Sequence, residues 1–269
     1  MRTALMQVIT GRDVAANLDI VRDRTARAAD AGAELVIFPE ATMRAFGHSL
    51  KGVAEPLDGP FASAVQEIAA RHGATIALGI FTPGDGGRVR NTLLVAGPDG
   101  ILAAYDKIHL FDAFGFAESD TVTPGSEPTV CRIGGVPVGL AVCYDVRFPN
   151  LFVRLADAGA KVIILPASWG AGTTDEQRAD KLDQWRLLTR ARALDSTCFI
   201  VAVGQGDPAT IGQEPSGAPT GIGHSMAVAP DGWVLCELGD GVEFRVIDIN
   251  PDGVVPIRAA IPVLENRRI

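Results

Sequence analysis

No two of the four cysteines, Cys131, Cys143, Cys198 and Cys236, form a CxxC pair, and the four histidines, His48, His72, His109 and His224, are just as dispersed. That spacing supports neither a disulfide framework nor a zinc cage, so no metal and no other cofactor is expected. Runs of eighteen apolar residues are absent, and with them any sequence-evident membrane helix. The opening MRTALMQVIT has too short an apolar stretch for a signal-peptide core, which makes the cytoplasm the expected location. Nowhere do lysines and arginines gather into a stripe, and 24 of them against 32 acidic residues leave a net charge of −8 and a pI near 5.0. Nucleic acid and anionic membrane are therefore poor partners for this chain. A linker rich in Gly, Ser and Pro is missing too, so one domain over residues 1–269 is expected. The loosest stretches, Thr82 to Arg90 and Gly204 to Gly223, look like surface or rim loops.

What is present is an apolar, globular pattern: 47% hydrophobic residues and a mean hydropathy of +0.21. Thr3 to Ile9 reads as a strand, Asp13 to Ala31 has helical spacing stopped by Gly32, and Leu35 to Phe38 is a short, wholly apolar strand. The segment RAADAGAELVIFPEA, Arg27 to Ala41, returns as RLADAGAKVIILPAS, Arg154 to Ser168. A second echo pairs NTLLVAGPDGILAAY, Asn91 to Tyr105, with HSMAVAPDGWVLCEL, His224 to Leu238. In each, two apolar runs flank a Pro-Asp-Gly turn, the chemistry of a β-hairpin. Both halves thus read strand, helix, strand, helix, strand, hairpin. Two such sheets bury best face to face with helices outside, which predicts an α/β fold: a four-layer α-β-β-α sandwich with an internal pseudo-twofold repeat. A doubly wound single sheet is the alternative.

The chemistry centres on GLAVCYDVRFP, Gly139 to Pro149. A β-prone run ends there and a helix-like run opens at Pro149, so Cys143 falls at a strand-to-helix turn. Backbone N–H groups at a helix start favour a thiolate and can bind an oxyanion. Taken alone, Cys143 is as well explained as a small buried hydrophobe. Other positions supply it with partners. Glu40 is the first polar group beyond the strand ending at Phe38, and Lys107 follows the hairpin strand Ile101 to Tyr105. A thiol attacking an amide carbonyl needs a base, a donor for the oxyanion and an acid for the departing amine. Glu40, Lys107 and Cys143 can supply those roles, although each acid or amine taken singly is equally a solvated surface group. The competing enzyme chemistry is a Cys-His pair using His109 or His224, for which a supporting or core role is the simpler reading. A binding or regulatory protein without turnover is the non-enzymatic alternative.

These residues carry a resemblance. FPEA around Glu40, YDKIHLFD around Lys107, ESDTVTPG around Glu118 and GLAVCYDVRFP around Cys143, in that order, resemble the motifs of the carbon-nitrogen hydrolase family, the nitrilase superfamily. The likeness extends through LPASWG, Leu165 to Gly170, the QWRLLTRARALDS helix and GIGHSMAVAPDG. It is strongest to the small amidases that include ω-amidase and deaminated-glutathione amidase. The resemblance implies the same sandwich, with Glu40 as general base, Lys107 as transition-state stabiliser and Cys143 as the nucleophile forming a thioester. It also implies that the backbone N–H of Tyr144 completes the oxyanion hole and that Glu118 positions substrate and water. One departure is Asp106 where this branch often has a basic residue; alternation along the strand turns it away from Lys107.

The implied substrate is the amide of a small carboxylic acid, with N-carbamoyl amino acids and nitriles as alternatives. The cations nearest the centre in sequence, Arg44 and Arg147, are candidates to bind a carboxylate, or else structural ion-pair partners, with Asp145 a possible mate for Arg147. Trp169 is a candidate pocket wall. The lack of long insertions points to a short substrate chain. Family members commonly form homodimers or larger assemblies, and the tail IPVLENRRI, with no evident strand partner, is the expected contributor to such an interface.

Overall fold

The computed structural model describes residues 1–213 and 218–268. The chain begins with β1 (Arg2–Gln7), α1 (Val14–Asp30), β2 (Leu35–Ile37), α2 (Pro60–His72), β3 (Thr75–Pro83), β4 (Val89–Gly97) and β5 (Gly100–Asp106). A small hairpin of β6 (Asp112–Ala113) and β7 (Phe116–Ala117) follows. The second half runs through β8 (Thr129–Ile133), β9 (Val136–Leu140), α3 (Pro149–Asp157), β10 (Val162–Ala167), α4 (Asp175–Ser196), β11 (Phe199–Gly204), β12 (Met226–Val228) and β13 (Val234–Glu237). Last come β14 (Glu243–Asp248) and α5 (Val254–Ala260).

The local causes of these elements are legible. Asp13 caps α1 by accepting from the N–H groups of Ala15 and Ala16. Pro60 and Pro149 open α2 and α3, where a missing N–H costs nothing. Helix α2 ends at Gly73 in the left-handed conformation.

Two six-stranded sheets result, ordered β14-β1-β2-β3-β4-β5 and β13-β12-β11-β10-β9-β8. In the first, β1, β2 and β3 are parallel and β14, β4 and β5 antiparallel. The second repeats this plan: β9, β10 and β11 are parallel, with β8, β12 and β13 antiparallel. The repeat read from Arg27 to Ala41 and Arg154 to Ser168 is therefore a repeat of structure, and the single doubly wound sheet is excluded.

Alternation along β1 shows how the layers form. Ala4 and Met6 join Val36, Ile76 and Val65 in the core beneath α1 and α2. Leu5, on the opposite face, joins Leu35, Leu93, Leu140, Ile164 and Val201 in the core between the sheets, which continues to Trp185 of α4. A strand buried on both faces must be apolar throughout, hence the unbroken LVI of β2 and VIIL of β10. The result is the α-β-β-α sandwich.

Two details differ from the sequence reading. Thr82, Pro83 and Val89 extend β3 and β4, so the stretch from Thr82 to Arg90 is a hairpin connection with a short 3-10 turn at Asp85–Gly87. Of the stretch from Gly204 to Gly223, residues 214–217 lie outside the described residues, as does Ile269 of the tail. The rest of the tail folds back on its own chain: Leu264 packs on the inter-sheet core and Arg267 pairs with Asp157. Among the described residues no helix is long and apolar enough to cross a membrane.

Candidate active site

Glu40 leaves the end of β2 on a backbone that passes unusually close to β3. Ala41 adopts φ +57°, and a Cβ on Gly79 would lie 2.5 Å from the Ala41 nitrogen. Only glycine lets the two segments approach in this way. Main-chain bonds from Gly79 to Pro39 and from Met43 to Gly79 then fasten the turn, and the Gln205 amide holds the Glu40 carbonyl at 3.0 Å. The carboxylate itself is 1% exposed.

Lys107, 2% exposed, follows β5 and is clamped by main-chain bonds from its N–H to Asn91 and from Gly125 to its carbonyl. Its Nζ donates to Glu40 Oε1 at 3.0 Å and to Glu118 Oε2 at 2.9 Å. The Asn91 side-chain amide completes the ring, donating to Glu40 Oε1 at 2.8 Å and Glu118 Oε1 at 3.1 Å. Two carboxylates are thus bridged twice, once by an ammonium and once by a neutral amide. Burial works against the charge on Lys107, but Glu118 and Glu40 outweigh it and hold its pKa well above the usual lysine range. Burial likewise opposes ionisation of Glu118. Lys107 and the Phe111 N–H overcome this and lower its pKa. Asp106 faces the other way, toward Thr92 and Arg90.

Cys143 sits at φ +46°, a strained conformation for a residue with a side chain. It opens a 3-10 turn, Cys143–Arg147, and α3 begins only at Pro149. The expectation that a helix N-terminus lowers its pKa is overturned. Burial and the Glu40 charge raise the Cys143 pKa well above the usual thiol range, against the opposing pull of Lys107 and the Ser168 N–H. Asp145 holds the turn from beneath, accepting from the N–H of Val142, the hydroxyl of Tyr105 and the N–H of His109.

Glu40, Lys107, Glu118, Cys143, Tyr144, Arg147 and Trp169 all line one cavity of about 860 Å³. Arg44 does not line it; its buried Nε has no hydrogen-bond partner. Arg147 does not hold Asp145. It donates to Gln184 at 2.7 Å and lies over the rings of Tyr144 and Trp169. A cavity of this size is roomier than a short chain needs, so size alone does not select a small substrate. Nor do the two candidate histidines line it. His109 is bound to Asp145 and stacked on Phe148, and both ring nitrogens of His224 face carboxylates, Glu237 and Asp240. Among the described residues no group of three or more His, Cys, Asp or Glu could hold a metal ion.

Sequence reasoning missed Asn91 and Lys181, the latter also lining the cavity. Asn91 did carry a signal, as the polar start of the repeated hairpin segment, but a single amide at a strand position is ordinarily a pairing residue. Lys181 carried none.

The carbon-nitrogen hydrolase family model matches residues 2–259. The chain is 50% identical to Hydrolase Rv0480c of Mycobacterium tuberculosis over 99% of this chain and 95% of that one. It is 34% identical to a deaminated glutathione amidase of Escherichia coli O157:H7, covering 94% and 91% respectively. Its fold superposes with a TM-score of 0.83 on Saccharomyces cerevisiae Nit3, a member of branch 10 of the nitrilase superfamily, at 25% identity and covering 100% of this chain and 97% of that one.

Proposed function

We propose that this chain, which belongs to the carbon-nitrogen hydrolase family, cleaves the terminal amide of a small carboxylic acid through a Cys143 thioester, with Glu40 and Lys107 as its partners. That it is an amide-hydrolysing enzyme follows from its family and its amidase relatives. The particular mechanism rests on one observation: the buried ring in which Lys107 bridges Glu40 and Glu118 beside the Cys143 thiol.

Glu40 takes the Cys143 proton as sulfur attacks the amide carbonyl, so no free thiolate has to persist in a buried site. Negative charge moves onto the carbonyl oxygen, where the Lys107 ammonium and the Tyr144 backbone N–H are the donors. As the carbon-nitrogen bond breaks, Glu40 returns its proton to the departing nitrogen, releasing ammonia or an amine and leaving the thioester. Water then enters, gives a proton to Glu40 and adds to the thioester carbonyl. Collapse expels sulfur, which recovers the proton from Glu40. Lys107 stays charged throughout, and Glu118 and Asn91 keep it and Glu40 in place. Trp169 and Arg147 form a wall of the substrate cavity.

N-carbamoyl amino acids would use the same steps, whereas a nitrile would first form a thioimidate at Cys143, to which water must add before ammonia leaves and the thioester is reached. The site favours an amide because Glu40 stands ready to protonate a leaving nitrogen. We assign the whole chain to one catalytic domain, working in the cytoplasm as a homodimer or larger assembly, a reading supported by four free cysteines and by exposed apolar side chains such as Leu187, Leu194, Trp233 and Leu235. Ammonia release from a panel of ω-amides, N-carbamoyl amino acids and nitriles tests the assignment. Release from ω-amides is the expected result. Activity confined to nitriles overturns the substrate class, and a folded enzyme with no activity on any of them overturns the hydrolytic reading.

A further inference from the structure

The repeat pairs Glu40 with Ala167 and Ala41 with Ser168, position for position. Glu40 thus stands where the other half has only a methyl group, and two peptide planes beside it have to be set correctly. One carries the Glu40 carbonyl and leads into Ala41, whose φ of +57° is costly for a residue with a side chain and persists only where its surroundings hold it. The other joins Ala167 to Ser168, and its N–H donates to Glu40 Oε2 at 2.8 Å.

Gln205, the first residue after β11, reaches both planes. Its main-chain N–H donates to the Ala167 carbonyl at 3.1 Å, and its side-chain Nε2 donates to the Glu40 carbonyl at 3.0 Å. The second amide donor goes to Thr10 Oγ1 at 2.8 Å, and Thr10 returns its own N–H to Gln205 Oε1 at 3.1 Å. These partners fix which way the amide points, because a carbonyl can only accept and a main-chain N–H can only donate. Thr10 Oγ1 in turn donates to the Ala41 carbonyl at 3.2 Å. Both peptide planes that flank Ala41 are therefore pinned, one by Gln205 and one by Thr10, and the two side chains are bonded to each other. Gln205 is 3% exposed and Thr10 8%, so solvent is badly placed to replace either bond. Gln7 offers the contrast. It too is a buried glutamine that joins the halves, but its side chain bonds to Gly239, Gly241 and Ser225.

We infer that Gln205, together with Thr10, is a positioning residue for Glu40, holding the strained turn at Ala41 and the Ser168 peptide in register so that the carboxylate is delivered to Lys107 and Cys143. Gln205 acts through Glu40, so its kinetic consequence rests on the reading of Glu40 as the base, whereas its hold on the carboxylate can be tested without turnover.

Gln205→Met and Thr10→Val nearly conserve volume and remove the bonds. Each should lower kcat on a cleaved amide about thirtyfold with KM within about twofold, as expected when a base is misplaced and no binding contact is lost. Thr10→Ser keeps the hydroxyl and should retain most of the rate. Adding Ala41→Gly to Gln205→Met should recover about tenfold, because glycine holds a positive φ unaided. Gln7→Met should lower the melting temperature yet leave kcat within about twofold. The second readout is alkylation of Cys143. Glu40 opposes ionisation of that thiol, so a displaced carboxylate in Gln205→Met should speed modification about threefold, and the same change added to Glu40→Gln should speed it no further. Should Gln205→Met not fold, the Thr10 variants carry both readouts. Unchanged kcat in Gln205→Met and Thr10→Val beside an inactive Glu40→Gln, or an equal fall in Gln7→Met, overturns the inference and leaves the base in place. Acceleration that persists on top of Glu40→Gln marks a generally loosened site and overturns it as well. Alkylation that responds to Gln205 only while Glu40 is present, in a protein that cleaves no amide, supports the inference and overturns the amidase reading instead.

Discussion

The backbone N–H of Ser168 donates to Glu40 Oε2 at 2.8 Å, so the carboxylate that ends β2 is held by the residue that follows β10. The two halves of the repeat meet at this bond. One consequence is that Glu40 and Lys107 pull the thiol in opposite directions.

Glu40→Gln removes a charge that raises the Cys143 pKa, and Lys107→Met removes one that lowers it. With a slow alkylating agent at neutral pH, modification of Cys143 should therefore accelerate in Glu40→Gln and slow in Lys107→Met, although both lose turnover. Rates followed by peptide mapping check this. Changes in the same direction would show that the thiol is not set by these charges. In the unaltered protein Cys143 should react before Cys131, Cys198 and Cys236, since only Cys143 lines the cavity.

Groups that act as a unit do not add. Glu40→Gln, Lys107→Met and Cys143→Ala should each lower kcat by roughly three orders of magnitude or more, and the double variants scarcely further. His109→Asn and His224→Asn should cost far less, since both rings are engaged away from the cavity. Steady-state kinetics on folded variants decide the matter. A histidine variant as inactive as Cys143→Ala would restore the Cys-His alternative.

Asn91 ties together two carboxylates that Lys107, the Ser168 N–H and the Phe111 N–H hold from other sides. Asn91→Ala should lower kcat by about a hundredfold while KM changes little, because the alignment lost matters most in the transition state. Asn91→Asp adds a third negative charge beside Lys107 and should displace the pH profile of kcat/KM, which a purely structural role would leave in place. Proportional losses at every pH would count against this role.

Alkaline stability follows from the buried thiols. Burial pushes Cys131 up to about 11 and raises Cys198, Cys236 and Cys143 as well. The unfolded chain releases these protons from about pH 8.5, whereas the folded one retains them. Stability should thus be full below that pH and fall steadily toward pH 11. Urea midpoints measured across this range test the sign. A flat profile would mean that these groups titrate alike in both states.

The exposed side chains of Leu187, Leu194, Trp233 and Leu235 make assembly measurable. Sedimentation at micromolar concentration should show at least a dimer, and Trp233→Ser should weaken it. A species of 28.2 kDa alone would refute the expectation.

The sequence by itself determined the layers. Unbroken apolar runs in β2 and β10 and Pro-Asp-Gly turns are local signals, and the echo of Arg27 to Ala41 in Arg154 to Ser168 pointed to one topology in both halves. Ordered motifs also marked Glu40, Lys107, Glu118 and Cys143. Tertiary structure alone decided the state and company of those groups. The raised pKa of Cys143 depends on burial and on a carboxylate more than a hundred residues away in sequence. The bridge made by Asn91 and the place of Lys181 on the cavity wall depend on which side chains separate strands and a helix bring together. Periodicity is set by neighbours along the chain, whereas charge interactions are set by distance and dielectric in space, and a sequence states neither.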